Sequence, residues 1–107
     1  MTFYMKQNDT SPSMLAELKD GENAVVDLDG ATVRFHMRQI GSTAIVVDQA
    51  AVIVTAASGL VRYDWSASDT DTIGSYQAEF EVTYSNSSIE TFPNNAYIRV
   101  EILDDIT

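Results

Sequence analysis

Three groups of residues in this chain carry side chains that chemistry could use. The only histidine, His36, stands between Arg34 and Arg38 in the alternating run Thr32 to Arg38. An imidazole is a good general base near neutral pH, but it needs a nucleophile or substrate proton within hydrogen-bond reach and a partner that orients the ring. The local sequence offers no such set. The simpler reading is a basic stripe of Arg34, His36 and Arg38 on the polar face of one strand, set against Glu79 and Glu81 of another. Cross-strand pairs of that kind contribute about 0.2–1 kcal/mol each. Asp27-Leu28-Asp29-Gly30 and Asp69-Thr70-Asp71 have the oxygen content of calcium loops. A complete loop needs further oxygen ligands at fixed offsets and a closing Glu, which neither segment has, so turn chemistry accounts for both. Asn8-Asp9-Thr10 and Asn86-Ser87-Ser88 spell the glycosylation sequon; without a secretory signal they read as chance matches. The expectation is a chain with no catalytic residue, no metal site and no cofactor.

Composition narrows the classes further. Sixteen acidic against six basic residues give a net charge of -10 over 107 residues. Such a surface repels nucleic-acid phosphates and anionic membranes. No apolar run approaches the roughly 20 residues of a membrane span, and Met1 to Lys6 lacks the basic region and apolar core of a signal peptide. With no cysteine there is no disulfide framework and no thiolate, which fits assembly in a reducing cytoplasm. The length suits one domain, residues 1–107, with a core of its own.

The elements that must position these residues read as strands. Gly59 to Tyr84 is the centre of the pattern. Val61, Tyr63 and Trp65 alternate with Arg62 and Asp64; Tyr76, Ala78, Phe80, Val82 and Tyr84 alternate with Gln77, Glu79, Glu81 and Thr83. A period of two assigns each set to one face of a sheet. Ser66 to Gly74 between them is a polar corner, and Asp71 to Tyr76 resembles the tyrosine corner of immunoglobulin-like sandwiches, in which a Tyr hydroxyl returns to the backbone just upstream. Phe35, Trp65, Tyr76, Phe80 and Val82 are the expected shared core. Around this centre, Phe3 to Gln7 and Met14 to Lys19 read as strands, the second with a helical turn as the alternative. Ala24 to Leu28 is a short apolar piece. Ala44 to Val47 and Val52 to Ala56, separated by Asp48-Gln49, read as a hairpin or as one strand with a bulge. Ile89 to Phe92 and Tyr97 to Leu103 complete the set, and Asp104 to Thr107 is an expected frayed tail. Eight or nine short strands with regular turns mean an all-β, immunoglobulin-like antiparallel β-sandwich.

Four blocks in order resemble the N-terminal domain of phage upper baseplate proteins. The opening Phe3-Tyr4-Met5-Lys6-Gln7-Asn8-Asp9-Thr10-Ser11-Pro12 is similar to that family's aromatic-rich first strand, Lys-Gln-x-Asp-Thr step and proline. Asp27 to Arg38, Gly59 to Trp65 with the Asp71 to Val82 corner, and Thr91 to Val100 supply the rest. The resemblance implies a non-enzymatic structural protein of a tailed-phage virion, a docking or adaptor module of the baseplate, tail or neck. Its implied partners are other virion proteins, including further copies of itself, with neither nucleic acid nor membrane among them. Because the sequence stops at Thr107 without heptads, fibre repeat or second domain, docking rather than receptor binding is the expected role. A capsid decoration protein and a carbohydrate-binding module, using Tyr4, Tyr97 and Tyr84, are the alternatives.

The expected partner interface comprises Phe3, Tyr4, Met5, Tyr97 and Arg99. It rests on Thr2 to Gln7 and Tyr97 to Leu103 being the open edges of the sandwich, where unpaired backbone groups invite a neighbour. On that reading, removal of residues 1–7 leaves a folded sandwich that no longer enters virions. The alternative is that the first segment simply completes one sheet.

Overall fold

The computed structural model describes residues 2–106; Met1, and Thr107 of the expected tail, lie outside them. Among the described residues, nine strands form two sheets: β1 (Thr2–Lys6), β2 (Met14–Glu17), β3 (Thr32–Gln39), β4 (Ile45–Ala50), β5 (Val52–Thr55), β6 (Leu60–Tyr63), β7 (Gly74–Thr83), β8 (Ile89–Phe92) and β9 (Ile98–Leu103). The larger sheet runs β1-β9-β7-β3-β4, with β8 also paired to β7; the smaller runs β2-β6-β5. The architecture is the two-sheet, all-β sandwich that the alternation predicts. Every strand pair is antiparallel except β1 with β9, which is parallel.

Alternation accounts for the strand part of the core, to which Leu18, Leu28 and Trp65 add from outside the strands. β7 buries Tyr76, Ala78, Phe80 and Val82 and turns the residues between them outward. Register then aligns Phe35, Phe80 and Phe92 in one row across three strands. Phe35 is the hub. Its ring stacks on Tyr63 of the opposite sheet at 4.3 Å, meets Trp65 edge-on at 5.5 Å and lies 5.2 Å from Phe80. Aromatic pairs at such spacings add about 0.5–1.5 kcal/mol beyond their burial. The five expected core residues are all buried. Trp65 is buried with its indole N–H unpaired, and the geometry offers no compensating partner.

Three expectations about the strands need correction. Met14–Glu17 is a strand rather than a helical turn, but it ends two residues short of Lys19, which makes only a single bridge to Val25. Ala44 to Ala56 is neither a hairpin nor a bulged strand. β4 lies in the larger sheet and β5 in the smaller, so the chain changes sheets at Ala51, whose N–H is donated to Val33 at 2.9 Å. Asp48 makes no turn because its carboxylate is held on the sheet surface by Arg34 and His36. Finally, β9 is no edge: it sits between β1 and β7.

Two corners fix the connections. After a 3-10 turn at Ala56–Ser58, Gly59 adopts φ +65, and a Cβ there would lie 2.8 Å from the carbonyls of both Leu18 and Val26. No larger residue fits without moving backbone. At the other corner the Tyr76 hydroxyl donates to the Thr72 carbonyl at 2.6 Å, the bond expected of a tyrosine corner.

Candidate functional site

The five expected interface residues divide between core and surface. β1 pairs with β9 in the register Phe3 to Val100, Tyr4 to Glu101 and Met5 to Ile102. Val100 and Ile102 face the core, so Phe3 and Met5 face it too. Met5 is buried, and Phe3 is half-buried with its ring stacked on Trp65 at 5.9 Å. The first segment both completes the larger sheet and, as expected, forms its outermost strand, with Met5 in the core and Phe3 packed against it. Tyr4 points outward and is 65% exposed.

Arg99 and Tyr97 share that outer face. Arg99 lies in one row with Gln77 and Arg38 on one side, through β7, and with Thr2 on the other. Its guanidinium donates to Glu101 at 3.1 Å and to Ser75 at 3.4 Å. A side-chain hydrogen bond from Ser75 to Glu101, ahead of the Arg99 contact, holds the Glu101 carboxyl below the usual range. Tyr97 stands one residue before β9 and is 42% exposed. It borders two clefts. One, of about 270 Å³, is lined on the outer face by His36, Arg38, Ile45, Gln77, Glu79 and Tyr97. The other, of about 570 Å³, lies between β2 and the β8–β9 connection, with Leu15, Leu18, Phe92, Pro93 and Tyr97 in its walls.

The basic stripe has the expected register, with Arg34 opposite Glu81 and His36 opposite Glu79. Its close partner is on the other side, on β4, which charge patterning missed. Arg34 Nε donates to Asp48 Oδ1 at 2.8 Å and its other nitrogen to the Asp48 carbonyl. His36 Nε2 lies 3.1 Å from the same carboxylate oxygen, and its Nδ1 is 3.7 Å from Glu79. The Arg34 hydrogen bond holds the Asp48 carboxyl below its ordinary range. His36 is thus flanked by two carboxylates, and neither is a nucleophile that it could activate. The signal for Asp48 was there to read: it is the only charged residue between Arg38 and Arg62.

The two acidic segments are occupied with local structure. Asp27 Oδ1 accepts the Asp29 N–H at 3.1 Å. Asp69 is buried, and its Oδ2 accepts the Tyr63 hydroxyl at 2.5 Å and the Ser66 N–H at 2.9 Å. Burial, with Asp69 second, pushes the Tyr63 hydroxyl pKa well above its ordinary value. Among the described residues no three His, Cys, Asp or Glu side chains are grouped to hold a metal ion. Nor do Tyr4, Tyr97 and Tyr84 make a stacking platform. Tyr84 continues the inward-facing side of β7, is partly buried and donates to Glu90 at 2.8 Å.

The protein is thus a two-sheet sandwich in which Arg34, Arg62 and Arg99 pair with nearby carboxylates, and whose outer face carries the exposed Tyr4 and Tyr97 beside Arg99. Comparison with known proteins gives the family: residues 3–104 match the BppU N-terminal domain, and the chain belongs to this family of phage upper baseplate protein domains. Among solved structures it is similar to the N-terminal domain of phage TP901-1 ORF48, with a TM-score of 0.66 and 12% identity over 98% of this chain and 85% of that one. At that identity the likeness concerns the fold. A comparison with curated proteins finds no match.

Proposed function

We propose that this chain is a non-enzymatic docking module of a phage baseplate, held by the outer face of its larger sheet against another virion protein. Membership of the upper baseplate protein family supports the baseplate as its place. The observation that carries the docking role is the division of labour along β1. Phe3 and Met5 anchor the strand in the core, and the same strand holds Tyr4 outward, one row from Arg99, which is in turn two residues from Tyr97. Exposed tyrosines and an arginine on a rigid sheet are residue types enriched in protein interfaces and in their energetic hot spots. The flanking of His36 by Asp48 and Glu79 supports a non-catalytic reading. The chain is then a virion component, assembled where the other phage proteins are made.

The test is incorporation. A Tyr4→Ala/Tyr97→Ala/Arg99→Ala variant with unchanged melting should be lost from purified virions by at least about tenfold, since hot-spot truncations cost roughly 2 kcal/mol or more. Normal incorporation of the folded variant would rule out this face.

A further inference from the structure

The cations of this chain are concentrated on one face. Lys6, Arg34, Arg38 and Arg99 stand at outward positions of the larger sheet, and they are four of the six lysines and arginines. The outward carboxylates of the same sheet are Asp48, Glu79, Glu81 and Glu101. Four against four leaves this face neutral, so the whole net charge of -10 is carried elsewhere on the molecule. A partner with carboxylates of its own meets the least repulsion here.

Within that face Arg38 is the arginine left without a carboxylate. Among the described residues Arg34 pairs with Asp48, Arg62 with Asp64 and Arg99 with Glu101. Arg38 instead donates from Nε to the neutral Gln77 Oε1 at 3.1 Å, its one side-chain hydrogen bond to a described residue. The rest of its planar donor fork is free of protein partners there, and that fork is the geometry that holds a carboxylate through two parallel bonds. Arg38 lines the cleft of about 270 Å³, with the exposed Ile45 and Tyr97 as apolar walls. Clefts that hold drug-sized ligands start at about 300 Å³, so this one suits a single side chain. Glu79 also lines it, but its carboxylate lies toward the His36 ring, 3.7 Å from Nδ1.

We propose that this cleft receives an acidic side chain, Asp or Glu, of the neighbouring virion protein, with its carboxylate on Arg38. The inference rests on the docking role proposed for the same face and names what the partner brings to it. Charge complementarity selects the occupant. A partner lysine or arginine would set a like charge against Arg38, and an apolar side chain would bury the guanidinium without a counter-charge. A carboxylate removes both penalties. The contact is continuous with the docking face through Tyr97, which walls the cleft and stands two residues from Arg99. Ile45 and Tyr97, closed over the pair, exclude water and strengthen it.

A charge series at position 38, read as copies per purified virion, tests it. Arg38 is exposed, so Arg38→Lys, Arg38→Gln and Arg38→Glu should all keep the parent's melting. Arg38→Gln should lower incorporation at least about tenfold, and Arg38→Glu should lower it at least about tenfold more, because it sets two carboxylates face to face. Arg38→Lys keeps the charge and loses the fork, so it should remain above Arg38→Gln. In virions carrying Arg38→Lys, a carbodiimide should join the introduced amine to an Asp or Glu of another virion protein, located by mass spectrometry of the cross-linked peptides. A folded Arg38→Glu chain incorporated as well as Arg38→Gln would overturn the proposal. So would Arg38→Lys lost as fully as Arg38→Glu, or a position-38 cross-link confined to this chain's own carboxylates. Normal incorporation of the Tyr4/Tyr97/Arg99 variant removes the docking face itself. Loss of that variant beside parent-like Arg38→Glu removes the acidic occupant alone.

Discussion

Adjacent residues on β1 should have opposite consequences when truncated. Met5 is 5% exposed and Tyr4 is 65% exposed. Met5→Ala removes three buried heavy atoms from beside Ile102 and leaves a cavity under an edge strand. Core truncations of this type cost about 2–5 kcal/mol, and an edge strand can relax inward, so the lower half, about 2–3 kcal/mol, applies. For a chain near 100 residues each kcal/mol shifts the midpoint by about 4 °C, which makes the expected fall in Tm about 10 °C. Tyr4→Ala should stay within about 0.5 kcal/mol of the parent. Urea denaturation with constant m-value, backed by calorimetry, measures both. In a virion assay the order should reverse: at low temperature Met5→Ala should still be incorporated and Tyr4→Ala should be depleted. A Met5→Ala chain as stable as the parent, or a Tyr4→Ala chain as damaged as Met5→Ala, would refute the inward and outward assignment of β1. Removing residues 1–7 cannot serve instead. It takes away Phe3, Met5 and the Gln7 bonds to the Leu103 and Asp71 carbonyls, both 2.8 Å, and should unfold the larger sheet's edge.

Three further outcomes are expected. Trp65→Ala should cost about 3–5 kcal/mol, as large aromatic truncations do, and an unchanged Tm would contradict its place in the Phe35 cluster. Tyr76→Phe keeps the ring and deletes the corner bond to Thr72, so a loss of about 0.5–1.5 kcal/mol should appear in denaturant unfolding; no loss would mean that the corner bond is idle. Stability should also decline in alkali. Burial and then Glu90 push the Tyr84 hydroxyl to about 12, and burial and then Asp69 raise Tyr63 further. A raised folded-state pKa stabilises fully below the unfolded value near 10 and is lost as pH climbs toward the folded one. Unfolding titrations should therefore show a falling midpoint above about pH 10 that Tyr84→Phe partly flattens; a flat profile in the parent would contradict the shift.

Much of the fold was legible because period-two alternation is a local property. β3, β7 and β9 each show it over several residues, and their inward sets came out as read. What was not legible depends on pairing between distant segments. Nothing in Phe3-Tyr4-Met5 says that β1 pairs parallel with β9, which turns an apparently sticky chain end into core on two of its three residues. Nothing in Asp48-Gln49 distinguishes a turn from mid-strand, because the deciding partners, Arg34 and His36, lie more than ten residues away. The tyrosine corner was readable because donor and acceptor, Tyr76 and Thr72, are four residues apart. The outer-face grouping of Tyr4, Tyr97 and Arg99 needed the sheet order, although the individual residue types had already pointed to an interface.

A reconstruction of the virion that carries this chain is the most direct test of its proposed role. The account predicts density for the sandwich in the baseplate, with Tyr4, Tyr97 and Arg99 buried against a neighbouring virion protein. Copies arrayed over the capsid, or a baseplate position in which that face looks onto solvent, would contradict it.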